Sequence, residues 1–265
     1  MTDNFYLDTL IQLLQRGLMT REMSVLVVCA GPLDRDVMLE AGFKQVTISN
    51  LDVRMKGDEF APFTWSFQDA EDLKYPDGSF DWAVAHSGLH HCYSPVRALL
   101  EMYRVARKGV LVLEPRDTFL VRLGVRLNFG QEYEVAAVAG NDLKSGGVRN
   151  TQIPNYVYRW TEWEIEKAIA AYDPLARPQL HYFYALRAPE ERLRALKNPV
   201  PRMAVQMLLP FLKVLAFLFP KQSNNFAFAA QKTDLPRVLH PWLVMVDGKP
   251  GINREWVAER YGEFK

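Results

Sequence analysis

A chain of 265 residues, 49% hydrophobic and 24% charged, has apolar mass for one large buried core or for a core carrying a long insertion. Its 32 Lys and Arg against 31 Asp and Glu leave a net charge of +1, so no global field favours a nucleic acid or another polyanion. Two cysteines, Cys29 and Cys92, exclude a disulfide framework, and the acidic start MTDNFYLDTLIQLL lacks the positive charge and cleavage site of a secretory leader; a cytoplasmic protein is expected.

Residues 5–19 place Phe5, Leu7, Leu10, Ile11, Leu13, Leu14 and Leu18 at helical spacing, which predicts an amphipathic lead helix. The period then changes. SVLVVCA (24–30) is a short continuous apolar run, as expected of a strand buried on both faces of a parallel sheet. DRDVMLEAG reads as a helix closed by Gly42, followed by strands in KQVTIS (44–49), FTWSF (63–67) and SFDWAVAH (79–86). A helix over 94–107 takes Ser94 as cap with Pro95 in its first turn, and KGVLVLEP (108–115) makes a fifth strand.

Beyond residue 115 the pattern loosens. DTFLVRLGVRL predicts a helix, while 128–160 is rich in Gly, Asn and Tyr without a clear period. TEWEIEKAIAAY (161–172) is a helix with Thr161 as cap and Glu164 at the capping-box position. QLHYFYALR (179–187) and NNFAFAAQK (224–232) read as two later strands, and the last thirty residues have little period and are expected to wrap the surface. The apolar stretch 203–219 contains Pro210 and Lys213 and is too short to span a bilayer.

Alternation of short strands and helices is the signature of an α/β three-layer sandwich with a mostly parallel, Rossmann-like sheet, here with a lid or insertion after the fifth strand. The chain divides into a lead helix at 1–23, a core at 24–117, a lid with later core elements at 118–220, and a last strand with its tail at 221–265. Ligands of such sheets bind beyond the carboxyl ends of the central strands. Four polar or small clusters fall there: Ala30-Gly31, Asn50-Leu51-Asp52, Gln68-Asp69-Ala70 and His86-Ser87-Gly88.

In that order, and most clearly over FQDAEDLKYPDGSFDWAVAHSGLHHCYSPVRALLEMYRVARKGVLVLEPRD (67–117), the sequence resembles the class I S-adenosylmethionine (SAM)-dependent methyltransferases of small-molecule type. The resemblance implies SAM as cofactor, S-adenosylhomocysteine as product, and an α/β core. It also implies that Ala30 and Gly31 approach the methionine part of the cofactor and that Asp69 accepts from the adenine amine, with Gln68 and Ala70 beside it. The ribose carboxylate position is shared between Asn50 and Asp52, and His86 lies at the cofactor edge. The first motif departs from the family: Cys29 and Leu33 stand where glycines are usual, and Val27 where an acid often stands. Because SAM carries no pyrophosphate, a glycine-poor turn is compatible with it, whereas the G-x-G-x-x-G of NAD-binding proteins is absent.

The bland readings are a plain cap for Asp69, a turn-orienting role for Asp81, a surface ion pair for Glu101 and Arg104, and lid packing for Tyr133, Tyr156, Tyr158 and Trp160. His90 and His86 are the candidates for a general base toward a hydroxyl acceptor, with His91 structural. His90-His91-Cys92 offers adjacent ligands that suit a tetrahedral site badly, with no second cluster, so no metal is expected. The expected function is O-methylation of a small molecule. Two alternatives stand beside it: a membrane-edge methyltransferase of a lipid-linked glycan or quinone, touching the bilayer through 203–219, and a non-catalytic SAM-fold binding module. Nine Lys and Arg against three Asp and Glu over 187–237 suit the membrane alternative. No nucleic-acid partner is expected.

Overall fold

The computed structural model describes residues 4–175, 177–187, 200–232 and 239–262. Its centre is a sheet of seven strands in the order β3-β2-β1-β4-β5-β7-β6. These are β1 (Ser24–Val28), β2 (Gln45–Asn50), β3 (Thr64–Phe67), β4 (Phe80–His86), β5 (Ala106–Pro115), β6 (Gln179–Ala185) and β7 (Asn225–Gln231). β1 to β5 are parallel, and β7 slots antiparallel between β5 and β6.

The continuous apolar runs have a direct structural cause. In β1, Val25 and Val27 enter one buried cluster while Leu26 and Val28 enter another on the opposite face. β4 and β5 divide the same way, with Trp82, Val84, Leu111 and Leu113 on one side and Ala83, Ala85, Val110 and Val112 on the other. With both faces covered, alternation has no polar side to show, and the strand reads as unbroken hydrophobicity.

The first face is covered by α1 (Asn4–Gln15) and α2 (Pro32–Ala41), the second by α3 (Pro95–Val105) and α6 (Glu162–Tyr172). α1 buries Tyr6, Leu10 and Leu13 in the same cluster as Val37 and Met38 of α2, so the lead helix is part of the core layer. α2 ends at Gly42, whose φ of +82° is the left-handed conformation the expected closure requires. Ser94 caps α3, and Thr161 and Glu164 form the expected capping box of α6.

Between β5 and α6 the chain forms α4 (Phe119–Arg126), α5 (Val135–Gly140) and a tight 3-10 turn at Val148–Asn150. α7 (Val200–Leu218) follows β6. The tail is more regular than its sequence suggests: β8 (Leu243–Val246) and β9 (Lys249–Ile252) form a hairpin, and α8 (Arg254–Tyr261) is capped by Asn253. The turn is Asp247-Gly248, both at positive φ, a two-residue hairpin signal short enough to be lost in a low-period tail.

Candidate functional site

The turn after β1 answers where its glycine went. Cys29 holds φ +53°, a conformation that favours glycine and that costs an ordinary residue about 1–2 kcal/mol. Gly31 has extended backbone and open space where a side chain would stand, while its N–H donates to Asp34 Oδ2 at 2.8 Å. The close approach has moved across the sheet. A Cβ added to Gly88, after β4, would lie 2.4 Å from the Cys29 Cβ. Gly88→Ala is therefore expected to destabilise the protein by about 1–3 kcal/mol, as overpacking does. In the Cys29→Gly background most of that loss should vanish, a coupling of at least about 1 kcal/mol in a urea-unfolding double-mutant cycle. Additive losses would contradict the packing argument.

The ends of β2 and β3 are tied to that turn. Asn50 Nδ2 donates to the Ala30 carbonyl at 2.9 Å, and Asn50 Oδ1 accepts from the Asp52 N–H at 2.9 Å. Asn50 is thus spent on bracing, which leaves Asp52 as the carboxylate of the pair. The Arg54 guanidinium grips Asp52 at 2.6 Å, and its hydrogen bonds outweigh burial to hold the carboxyl down at about 2. Gln68 bridges the Ser66 hydroxyl and the Lys74 N–H. Asp69 accepts from the Glu71 N–H at 3.0 Å, and Ala70 beside it is buried.

Arg149 has no local signal in the sequence. It arrives from the segment between β5 and α6 with φ +50°, pairs with Asp69 Oδ2 at 2.7 Å and Glu71 Oε2 at 3.2 Å, and lies over the Tyr93 ring at 5.4 Å. A cavity of about 280 Å³ opens beside it, lined by Asp52, Arg54, Lys144, Ser145 and Asn150.

The end of β4 is organised by a buried acid of the neighbouring strand. Glu114 of β5 is fully buried; its Oε1 accepts from the N–H groups of Gly88 and Leu89 at 2.9 and 2.7 Å, and its Oε2 meets His90 Nδ1 at 2.5 Å. The signal was there, since an acid inside GVLVLEP must have buried partners. Glu134, which precedes α5, brings its Oε2 to 3.3 Å from His90 Nε2 and 3.5 Å from His91 Nε2. His91 Nδ1 faces the Gly147 carbonyl at 3.3 Å. Asn155 Nδ2 reaches both the His90 carbonyl and Glu134 Oε2 at 3.2 Å.

Burial alone would push the His90 imidazole down, but Glu114 and Glu134 reverse this and hold it at about 10. At neutral pH the ring keeps its proton, so the general-base role expected of His90 does not suit this geometry. Burial also raises the Glu134 carboxyl, yet His90 draws it down to about 2. His91 is lowered by burial and by the neighbouring His90. His86, the other expected base, stacks on Tyr6 of α1 with ring centroids 4.7 Å apart. Hydrogen bonding to Cys92, reinforced by burial, pushes the Cys29 thiol well up, which leaves Cys29 a poor nucleophile.

Several bland expectations find their partners. Asp81 accepts from the Ser24 N–H and hydroxyl at the start of β1. Glu101 and Arg104 form their ion pair at 2.8 Å, but half-buried, where Arg104 also ties the Leu73 and Tyr75 carbonyls. Trp160 is buried in the core and packed edge-on by Tyr158. A second cavity of about 280 Å³ lies beside the 3-10 turn after β4, lined by His90, Cys92, Tyr93, Asn155, Tyr156 and Tyr158 among others. Ala30, Gly31, Asp52, Asp69, Ala70 and His86 thus converge on the carboxyl ends of adjacent parallel strands, where this sheet topology binds its ligands.

Residues 36–113 match the family model described as a methyltransferase domain. Among solved structures, the chain is similar to a putative methyltransferase from Bacillus halodurans C-125, with TM-score 0.53 and 17% identity over 86% of this chain and 100% of that one. It is equally similar to the YcgJ protein of Bacillus subtilis, with TM-score 0.53 and 14% identity over 86% of this chain and 99% of that one. At those identities the likeness establishes the fold. No curated protein matches the chain.

Proposed function

We propose that the chain, whose residues 36–113 match a methyltransferase domain, is a class I SAM-dependent methyltransferase that methylates a hydroxyl on a small, partly aromatic acceptor. The observation that carries this reading is the second cavity, whose Tyr93, Tyr156 and Tyr158 rings suit a flat acceptor and whose His90 and Asn155 supply the polar edge. When bound, SAM supplies an electrophilic methyl on a sulfonium. The chain's own residues fit it. The open space at Gly31 would admit the methionine part, Asp69 and Ala70 would hold the adenine, and Asp52 would be the carboxylate that takes the ribose. Their task is alignment and exclusion of water, because an in-line displacement gains most from a fixed geometry.

The test is methyl transfer from labelled SAM to a panel of phenols, aliphatic alcohols and amines. O-methyl products support the reading, and N-methyl products alone overturn it.

One observation favours a second reading, a membrane-edge enzyme with a lipid-borne acceptor. On α7, Met203, Met207, Phe211, Val214 and Leu218 recur at intervals of four, four, three and four, forming one exposed apolar stripe. Met207 is 79% and Phe217 85% exposed, more apolar surface than a solvated helix normally shows. Among the described residues no helix is long and apolar enough to cross a membrane. Four of the nine basic residues that suited this reading, Arg192, Arg194, Lys197 and Arg237, lie outside the described residues. Wild-type protein is expected to co-sediment with anionic liposomes, and Phe211→Glu with Phe217→Glu should abolish it while thermal stability holds. Absence of sedimentation at low salt removes the reading.

A further inference from the structure

We propose that His90, His91 and Glu134 form a binding site for one divalent transition-metal ion of the zinc type. Adjacent histidines alone suit such a site badly. The 3-10 turn at Leu89–His91 changes this by letting both rings approach one side chain, and the third ligand comes from Glu134, 43 residues beyond His91 in the sequence.

Four features support the site. First, the two imidazole Nε2 atoms stand 3.3 and 3.5 Å from a single carboxylate oxygen, and the donor atoms of all three residues lie within 4.8 Å of one another. These separations are long for a charge-assisted N–H to carboxylate hydrogen bond, about 2.7–2.9 Å. They fall within the edge of a tetrahedron with bonds of about 2.0–2.2 Å, which is about 3.3–3.6 Å.

Second, each imidazole has its other nitrogen already held. His90 Nδ1 is held by the buried Glu114 carboxylate, and His91 Nδ1 by the Gly147 carbonyl. Donation from the far nitrogen to a carboxylate or carbonyl is the arrangement that fixes a ligating imidazole with its Nε2 lone pair toward the ion. Third, two imidazoles and one carboxylate are the donor set of an open, catalytic zinc site, with the remaining position left to water or substrate. Fourth, Asn155 is buried, and its Oδ1 has no hydrogen-bond partner while its Nδ2 contacts the same Glu134 oxygen. That amide therefore orients the Glu134 carboxylate, as a supporting hydrogen bond to a ligand.

The site borders the acceptor cavity, since His90 and Asn155 line both. Its use there rests on the O-methylation reading. An acceptor hydroxyl on the ion loses its proton to solvent. Its oxygen then forms the new C–O bond as the bond from methyl to sulfur breaks, and that bond's electron pair stays on sulfur. The ion thereby supplies the activation of the hydroxyl that O-methylation requires.

The test titrates untagged, chelator-stripped protein with Co2+ alone, followed by visible absorption, and with Zn2+ alone against a chromophoric chelator. One equivalent should bind, with the intense absorption of low-coordinate Co2+. His91→Ala and Glu134→Gln should each weaken Zn2+ binding by at least about 10-fold, and Glu114→Gln by about 10- to 100-fold. Far-UV circular dichroism checks that the variants fold. Failure of either metal to bind, or unchanged affinity in both His91→Ala and Glu134→Gln, overturns the proposal. Titration with S-adenosylhomocysteine in parallel separates the two readings: its retention with no metal bound sinks the metal site alone, and its loss in the wild type sinks the methyltransferase site.

Discussion

Glu114→Ala is expected to cost about 3–5 kcal/mol of stability, the largest effect of any single substitution near the site. Its carboxylate holds three donors in a fully buried position: the Gly88 and Leu89 N–H groups and His90 Nδ1. Alanine leaves two backbone donors without partners and a buried imidazole facing Glu134 alone, each a desolvation penalty with no return. Glu114→Gln should cost markedly less, because the amide oxygen can still accept from both backbone N–H groups. Urea unfolding of the two variants checks this. A loss below about 1 kcal/mol for alanine would mean that the 3-10 turn after β4 is held by packing rather than by this carboxylate.

Asp69→Ala is expected to weaken S-adenosylhomocysteine binding by about 10- to 100-fold, the worth of one charge-assisted hydrogen bond of about 1.5–3 kcal/mol. The fold should tolerate the change, because Asp69 is partly exposed and Arg149 keeps its second partner, Glu71. Arg149 makes this measurement informative in another way. It holds the Asp69 oxygen that an adenine amine would use, so Arg149→Ala should tighten binding if the two compete. An Asp69→Ala affinity within twofold of wild type would remove Asp69 from the cofactor site.

The core was legible in the sequence because burial on both sheet faces leaves a strong mark, a continuous apolar strand bounded by capped helices. Ser94, Thr161, Glu164 and Gly42 mark their helix ends through local chemistry that any reader of the chain can find. The strand-end residues were equally legible, since the order of elements alone places Gly31, Asp52, Asp69 and His86 at one edge. What escaped was contributed from a distance. Arg149 and Glu134 lie in the aperiodic stretch after β5, and their partners sit 80 and 44 residues earlier, at Asp69 and His90. No local pattern encodes such a pairing. The same holds for the missing glycine of the first turn: Cys29 keeps the left-handed backbone, and the space it needs is provided by Gly88, in the turn after another strand.

His90 shows how environment overrides residue type. A histidine at the end of a central strand invites a base, but two carboxylates around a buried ring hold its proton in place.

Calorimetric titration of the wild-type protein with S-adenosylhomocysteine, SAM and NAD tests the central claim most directly. Micromolar binding of the first two with no binding of NAD is the predicted result, because the turn after β1 offers space at Gly31 but none of the glycine-rich backbone that a pyrophosphate needs. Binding of NAD, or of none of the three, would contradict the assignment of the strand-end cluster as a SAM site.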